Sequence, residues 1–176
     1  MNFALVPYTE IDGQMNFKNS RIKELFSRMQ ADHTDGVVYC HEYIKSPEEF
    51  LRYVRRSDVR LYFMFVDKEM VGWTILDRIE GRVAFGSFCY FSSFWGKETV
   101  WASRKIVETL FSIKDQNEVP LLDLLVGFVA TWNKHAIMHL TACGWLSLGI
   151  LPSAVWNPKE KKSEPAMCFY CERGGQ

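Results

Sequence analysis

The stretch RVAFGSFCYFSSFWGKETVWASRKIVETLFSIKDQNEVPLLDLLVGFVATWNKHAIMHLTACGW, residues 82–145, decides how this chain is read. Arg82 to Phe91 is predicted to be a strand, and Trp95-Gly96-Lys97 a glycine turn. Thr99 to Ile113 sets Val100, Ile106, Val107, Leu110 and Phe111 on one stripe at helical spacing. Gln116 to Pro120 breaks that helix, and Leu121 to Ala130 is the next apolar strand. Asn133 then opens a short helix that stops at Gly144-Trp145. A helix between two strands calls for a crossover, so the two strands are expected to be parallel neighbours. Strand, glycine turn and helix in that order leave the first backbone N–H groups of the helix without internal partners, an arrangement suited to an anion.

Working outward towards the N-terminus, Leu61 to Val66 is a continuous apolar run. Asp67-Lys68-Glu69 turns it into Val71 to Leu76, and Glu80-Gly81 turns the chain again into Arg82. Three strands joined by tight turns predict an antiparallel meander at the centre of a sheet. Phe3 to Thr9 reads as a first strand, placed at an edge by Pro7. Ser20 is the expected cap of a helix burying Ile22, Leu25, Phe26 and Met29. Ser46-Pro47-Glu48-Glu49 starts another, with Phe50, Leu51 and Val54 inward. Ala31 to Lys45 between them has loop composition, with His33, Tyr39, Cys40, His41 and Tyr43. Beyond Trp145, Ser147 to Trp156 and Ala166 to Glu172 read as strands separated by a charged loop, Asn157 to Pro165. The expected architecture is α/β (α+β): a mixed, mainly antiparallel central sheet of about seven strands with helices on both faces.

With 176 residues and 48% hydrophobic content, the chain is long enough for one core, and a single domain spanning residues 1–176 is expected. Twenty-one basic residues balance twenty-one acidic ones, so no overall field draws nucleic acid or an anionic membrane. The first residues lack a basic lead, and no apolar run reaches the roughly 20 residues of a membrane span. A soluble, cytoplasmic protein is expected. Five scattered cysteines speak against a disulfide framework. Cys168 and Cys171 have redox spacing, but on a strand they point to opposite faces. His135, His139 and Cys143 follow one line of a helix, yet Ala136 stands where a zinc-peptidase motif needs Glu. No metal is expected there.

Counted from Asn133, Ala136 stands at plus 3, Ile137 at plus 4, Leu140 at plus 7, Gly144 at plus 11 and Trp145 at plus 12. This resembles the Asn-x-x-Ala/Ser-Ile-x-x-Leu/Tyr-x-x-x-Gly-Phe ending of the GNAT acyltransferases, with Trp in place of Phe. Phe94-Trp95-Gly96-Lys97 resembles the Trp-Gly-Lys-Gly turn of the branch that acetylates ribosomal-protein N-termini, and the element order from Phe3 to Arg173 is similar to that fold. The resemblance implies acetyl-CoA as co-substrate, in a cleft where the strands ending near Phe91 and Ala130 splay apart. It further implies that backbone groups of Phe88, Cys89 and Tyr90 pair with the pantetheine arm. The N–H groups of Trp95, Gly96, Lys97, Glu98 and Thr99 would carry the pyrophosphate, and Asn133 would hold the pantetheine. A primary amine, on a small molecule or a peptide N-terminus, would attack directly in a ternary complex of a monomer or homodimer.

Three residues depart from the pattern. Ser93 replaces an Arg or Gln, Glu98 replaces a small residue with a carboxylate that repels phosphate, and Leu140 replaces a proton-donating Tyr. Lys97, Arg104 or Lys105 could offset Glu98. In place of the Tyr, His139 and Cys143 are the candidate donors, and Glu80, Asp77 or His41 the candidate bases acting through water. The same departures suit an alternative: a binding or protein-interaction module that kept the fold and lost the chemistry.

Overall fold

The computed structural model describes residues 1–38, 44–157 and 160–175. In chain order the elements are β1 (Phe3–Pro7), the short strands β2 (Glu10–Ile11) and β3 (Gln14–Met15), α1 (Asn19–Ala31), α2 (Asp35–Val38), α3 (Pro47–Val54), β4 (Arg60–Val66), β5 (Glu69–Glu80) and β6 (Val83–Tyr90). A 3-10 turn at Ser92–Phe94 leads to α4 (Glu98–Ser112), then β7 (Leu124–Ala130), α5 (Lys134–Ala142), β8 (Leu146–Asn157) and β9 (Lys162–Glu172). Seven strands form one sheet in the order β1-β4-β5-β6-β7-β9-β8. Neighbours run antiparallel except β6 and β7, which are parallel as the intervening α4 requires.

Helices cover both faces. Ile22, Leu25, Phe26 and Met29 of α1 and Phe50, Tyr53 and Val54 of α3 pack on Phe63, Trp73, Ile75 and Cys89 of the sheet. On the other face Ala102, Ile106, Val107 and Leu110 of α4 and Leu140 of α5 meet Met64, Leu76, Ala84, Tyr90 and Phe169. The even-numbered and odd-numbered residues of β6 thus serve opposite cores, as the period of a strand dictates.

Local chemistry explains most of these boundaries. Ser46 accepts a hydrogen bond from the Glu49 amide at 3.2 Å, and the Glu49 carboxylate reaches back to the Lys45 amide at 2.6 Å. That is the anticipated capping pattern, with its return bond one residue early. Three expectations are corrected, and one short hairpin is added. Helix α1 begins at Asn19 behind Lys18, which supplies no side-chain cap, and Ser20 lies inside it. Asp12-Gly13, with φ of 52° and 75°, turns β2 into β3, an Asp-Gly hairpin turn that the sequence carries in plain view. The segment 35–38 is helical. Finally, β9 begins at Lys162, so the last four residues of the expected charged loop are strand; Glu164 pairs with Val155. Tyr39, Cys40, His41 and Tyr43 lie outside the described residues.

Candidate functional site

Strands β6 and β7 pair through only three positions, Val83 with Leu124, Ala84 with Leu125 and Phe85 with Val126. Beyond them β6 stays on β5 and β7 stays on β9, so the two part. At the fork Gly86 faces Gly127: a Cβ on Gly127 would lie 3.6 Å from the Gly86 carbonyl oxygen and 3.8 Å from Cζ3 of Trp145. The gap opens into a cleft of about 400 Å³, bounded by β6, β7, the start of α5 and residues 153–156 of β8.

The free edge of β6 follows from ladder alternation. The Phe91 amide donates to the Val71 carbonyl at 2.9 Å, so Cys89 and Ser87 also turn their backbone groups towards β5. Phe88 and Tyr90 therefore turn theirs towards the gap. The Tyr90 carbonyl is taken by the Trp95 indole N–H at 2.9 Å, which leaves Phe88 and the Tyr90 amide as the open edge. Cys89 contributes no backbone group to that edge. Its thiol is buried beside Thr34 at 3.5 Å, and burial pushes it up to about 11.

The turn into α4 places the other expected residues. Gly96 has φ of 154°, which side chains rarely adopt. Thr99 Oγ1 donates to the Gly96 carbonyl at 2.6 Å. Lys97 precedes the helix without capping it by its side chain. Glu98 folds back over the turn, its Oε2 only 3.1 Å from where a Gly96 Cβ would stand. Of the cations proposed to offset it, Arg104 donates to the Ala142 carbonyl at 2.9 Å and Lys105 pairs with Glu108. Lys97 alone stands at the turn.

Asn133 lines the cleft and caps α5, its Oδ1 accepting from the Ala136 amide at 3.1 Å. That bond leaves its Nδ2 group to donate. Ala136 and Leu140 follow on the same helical face and also line the cleft. His139 and Cys143 occupy the neighbouring ridge and turn towards α4. His139 Nε2 is 2.8 Å from Ser103 Oγ and 3.5 Å from Cys143 Sγ, and Ser103 is 2.8 Å from the Tyr90 hydroxyl. Burial lowers the His139 imidazole and raises the Cys143 thiol and the Tyr90 phenol, so all three are held neutral. The sequence spacing located this helix but not which of its ridges meets the cleft.

Of the suggested bases, Glu80 is exposed at the end of β5, opposite Val83, outside the cleft. Asp77 is in the cleft wall. Its Oδ2 accepts from the Tyr53 hydroxyl at 2.6 Å and its Oδ1 from Arg78 Nε at 3.1 Å. His41 lies outside the described residues. Arg78 and Tyr53 also line the cleft and were not anticipated; Trp156 lines it as well. The one signal for Arg78 was a pair of adjacent charges, Asp77-Arg78, where a regular half-buried strand alternates. Among the described residues no three His, Cys, Asp or Glu side chains gather as a metal site, and no helix is long and apolar enough to cross a membrane.

By sequence, no family model and no curated protein matches the chain. By structure it is similar to a spermidine N-acetyltransferase from Vibrio cholerae in complex with CoA and spermine. That match has a TM-score of 0.68 at 17% identity and covers 97% of this chain and 96% of the other. It is also similar to the Salmonella typhimurium acetyltransferase that modifies the N-terminal serine of a 50S ribosomal subunit protein (TM-score 0.70, 14% identity, 89% and 91% covered). A third is a microcin C7 self-immunity acetyltransferase in complex with acetyl-CoA and AMP (TM-score 0.66, 12% identity, 88% and 87% covered). The chain has the GNAT acetyltransferase fold over nearly its whole length.

Proposed function

We propose that residues 1–176 form one acyltransferase domain that moves an acetyl group from acetyl-CoA to a primary amine. The observation that carries this reading is the fork between β6 and β7, which exposes an unpaired strand edge at Phe88 inside a cleft with Asn133 at its mouth. An extended amide-bearing arm pairs with such an edge as an added strand would. The Asn133 amide is available to donate to the same arm. The N–H groups opening α4 face the anionic end, where Glu98 must swing aside and Lys97 compensates.

The thioester supplies an activated acyl carbon. The amine nitrogen forms a bond to that carbon, the C–S bond breaks, and the departing thiolate takes, through water, the proton that the new amide nitrogen sheds; attack first requires the ammonium to lose a proton. Asp77, oriented by Tyr53, is the carboxylate of the cleft that takes this proton, directly or through one water. Ala136 and Leu140 have no proton to give the departing sulfur. Catalysis then rests on holding the two reactants together in a walled cleft, which supplies a large share of the rate by itself. The Tyr90–Ser103–His139–Cys143 chain backs the wall and keeps α4 against α5. The protein is proposed to act in the cytoplasm, as a monomer or homodimer.

Thermal unfolding with acetyl-CoA and with free CoA tests the reading. At a hundredfold excess over the dissociation constant, binding adds about 2.7 kcal/mol, a rise of roughly 5 to 10 °C for a chain of this size. Absence of any rise at millimolar concentration would refute the proposal and favour an interaction module.

A further inference from the structure

The acceptor side of the cleft carries a feature that a plain amine site does not need. Strand β5 slips by one residue between Asp77, opposite Phe85, and Glu80, opposite Val83. The extra residue is accommodated at Arg78, whose φ of 45° is uncommon for a side chain other than Gly, Asn or Asp. Consecutive strand residues normally face opposite ways. This bulge brings Asp77 and Arg78 to one face, where both line the cleft. The guanidinium lies 3.9 Å over the Phe85 ring and 5.9 Å from that of Phe128, whose ring stands 5.3 Å from Phe85. Arg78 Nε is committed to Asp77, while its terminal N–H groups keep their fork of donors.

Resting on the acetyl-transfer reading, we infer that Asp77 and Arg78 clamp a zwitterion, and that the acceptor is a free α-amino acid with an apolar side chain. Neighbouring opposite charges on the protein match the neighbouring ammonium and carboxylate of an α-amino acid: the ammonium meets Asp77 and the carboxylate meets the Arg78 fork. These two are the charged side chains among the described residues lining the cleft. The remaining wall, including Val38, Phe128, Ala154 and Trp156, suits an apolar side chain. Trp156 adds an indole N–H that is shielded from solvent and meets no acceptor among the described residues, a donor suited to the same carboxylate. A polyamine fits poorly. Its several ammonium groups would share one carboxylate, already bonded to Tyr53 and Arg78, and face the guanidinium.

The experiment measures acetyl transfer from labelled acetyl-CoA to L-leucine, L-methionine and L-phenylalanine, to the amide of each, and to spermidine. The wild-type protein should prefer at least one acid over its amide by about tenfold or more in kcat/KM, the worth of a lost charge-assisted hydrogen bond. In Arg78→Met that preference should fall to near unity, chiefly through KM for the acid. Equal use of acid and amide, better use of spermidine, or an acid-over-amide preference that survives in Arg78→Met would each overturn the inference. Arg78→Lys guards against misfolding: it should keep part of the preference, and retaining none of it while remaining folded would also overturn the clamp. No transfer to any of these compounds, with the acetyl-CoA midpoint rise intact, overturns this inference and leaves the acetyl-transfer reading standing; loss of the rise as well sinks both.

Discussion

The Glu98 carboxylate stabilises the start of α4 through the helix dipole and opposes an anion at the same place. The two effects predict opposite signs in one variant. Glu98→Gln should tighten free CoA several-fold, most at low ionic strength where screening is weak, while lowering the midpoint of the unliganded protein by roughly 1 to 3 °C, the worth of one exposed dipole contact. Calorimetric titration and thermal unfolding of the same samples check both. Asn133 separates in a similar way. Asn133→Ala removes the α5 cap at a cost of about 1 kcal/mol and also the Nδ2 donor, whereas Asn133→Ser keeps a capping oxygen and loses only the donor. Serine should therefore restore the midpoint and leave CoA binding weak. Asn133 and Glu98 were both legible in the sequence, because a cap and a helix start are local events. Arg78 was not. Its place depends on a register slip against β6, which only the paired strand reveals.

Among the elements, α5 shows how a buried polar chain ties stability to pH. The His139 imidazole is held below its ordinary value of 6.5 by burial. In that situation the unfolded chain binds the proton more readily than the fold. The contribution of the neutral imidazole is therefore full above about pH 6.5 and is lost as pH falls below it. Unfolding midpoints measured from pH 7.5 to 5 should drop in that window, and His139→Asn should flatten the drop. The edge of β6 makes a second prediction at this scale. Amide hydrogens of Phe88 and Tyr90 should exchange faster than those of Ser87 and Cys89, and acetyl-CoA should slow the first pair selectively. Equal exchange along the strand would contradict an open edge. Helical spacing in the sequence correctly put Asn133, Ala136 and Leu140 together. The direction in which His139 and Cys143 turn was set by the packing of α4, which spacing cannot carry.

At the scale of the molecule, the order of elements and the parallel step from β6 to β7 could be read because a helix between strands allows little else. The insertion of β9 between β7 and β8 could not: Leu146 to Ser153 is as apolar as an inner strand, yet it forms the exposed edge. Strands β4 to β6 contribute to both cores, so the fold is expected to unfold in one step, with far-UV circular dichroism and tryptophan fluorescence giving coincident transitions. The three-pair contact between β6 and β7 has a mechanical consequence. It divides the sheet into two plates, β1-β4-β5-β6 and β7-β9-β8, joined along a short seam that a bound extended arm would lengthen. Pulled apart across that line, the empty protein should yield first at the seam, and the loaded one should resist like a book whose spine has been glued.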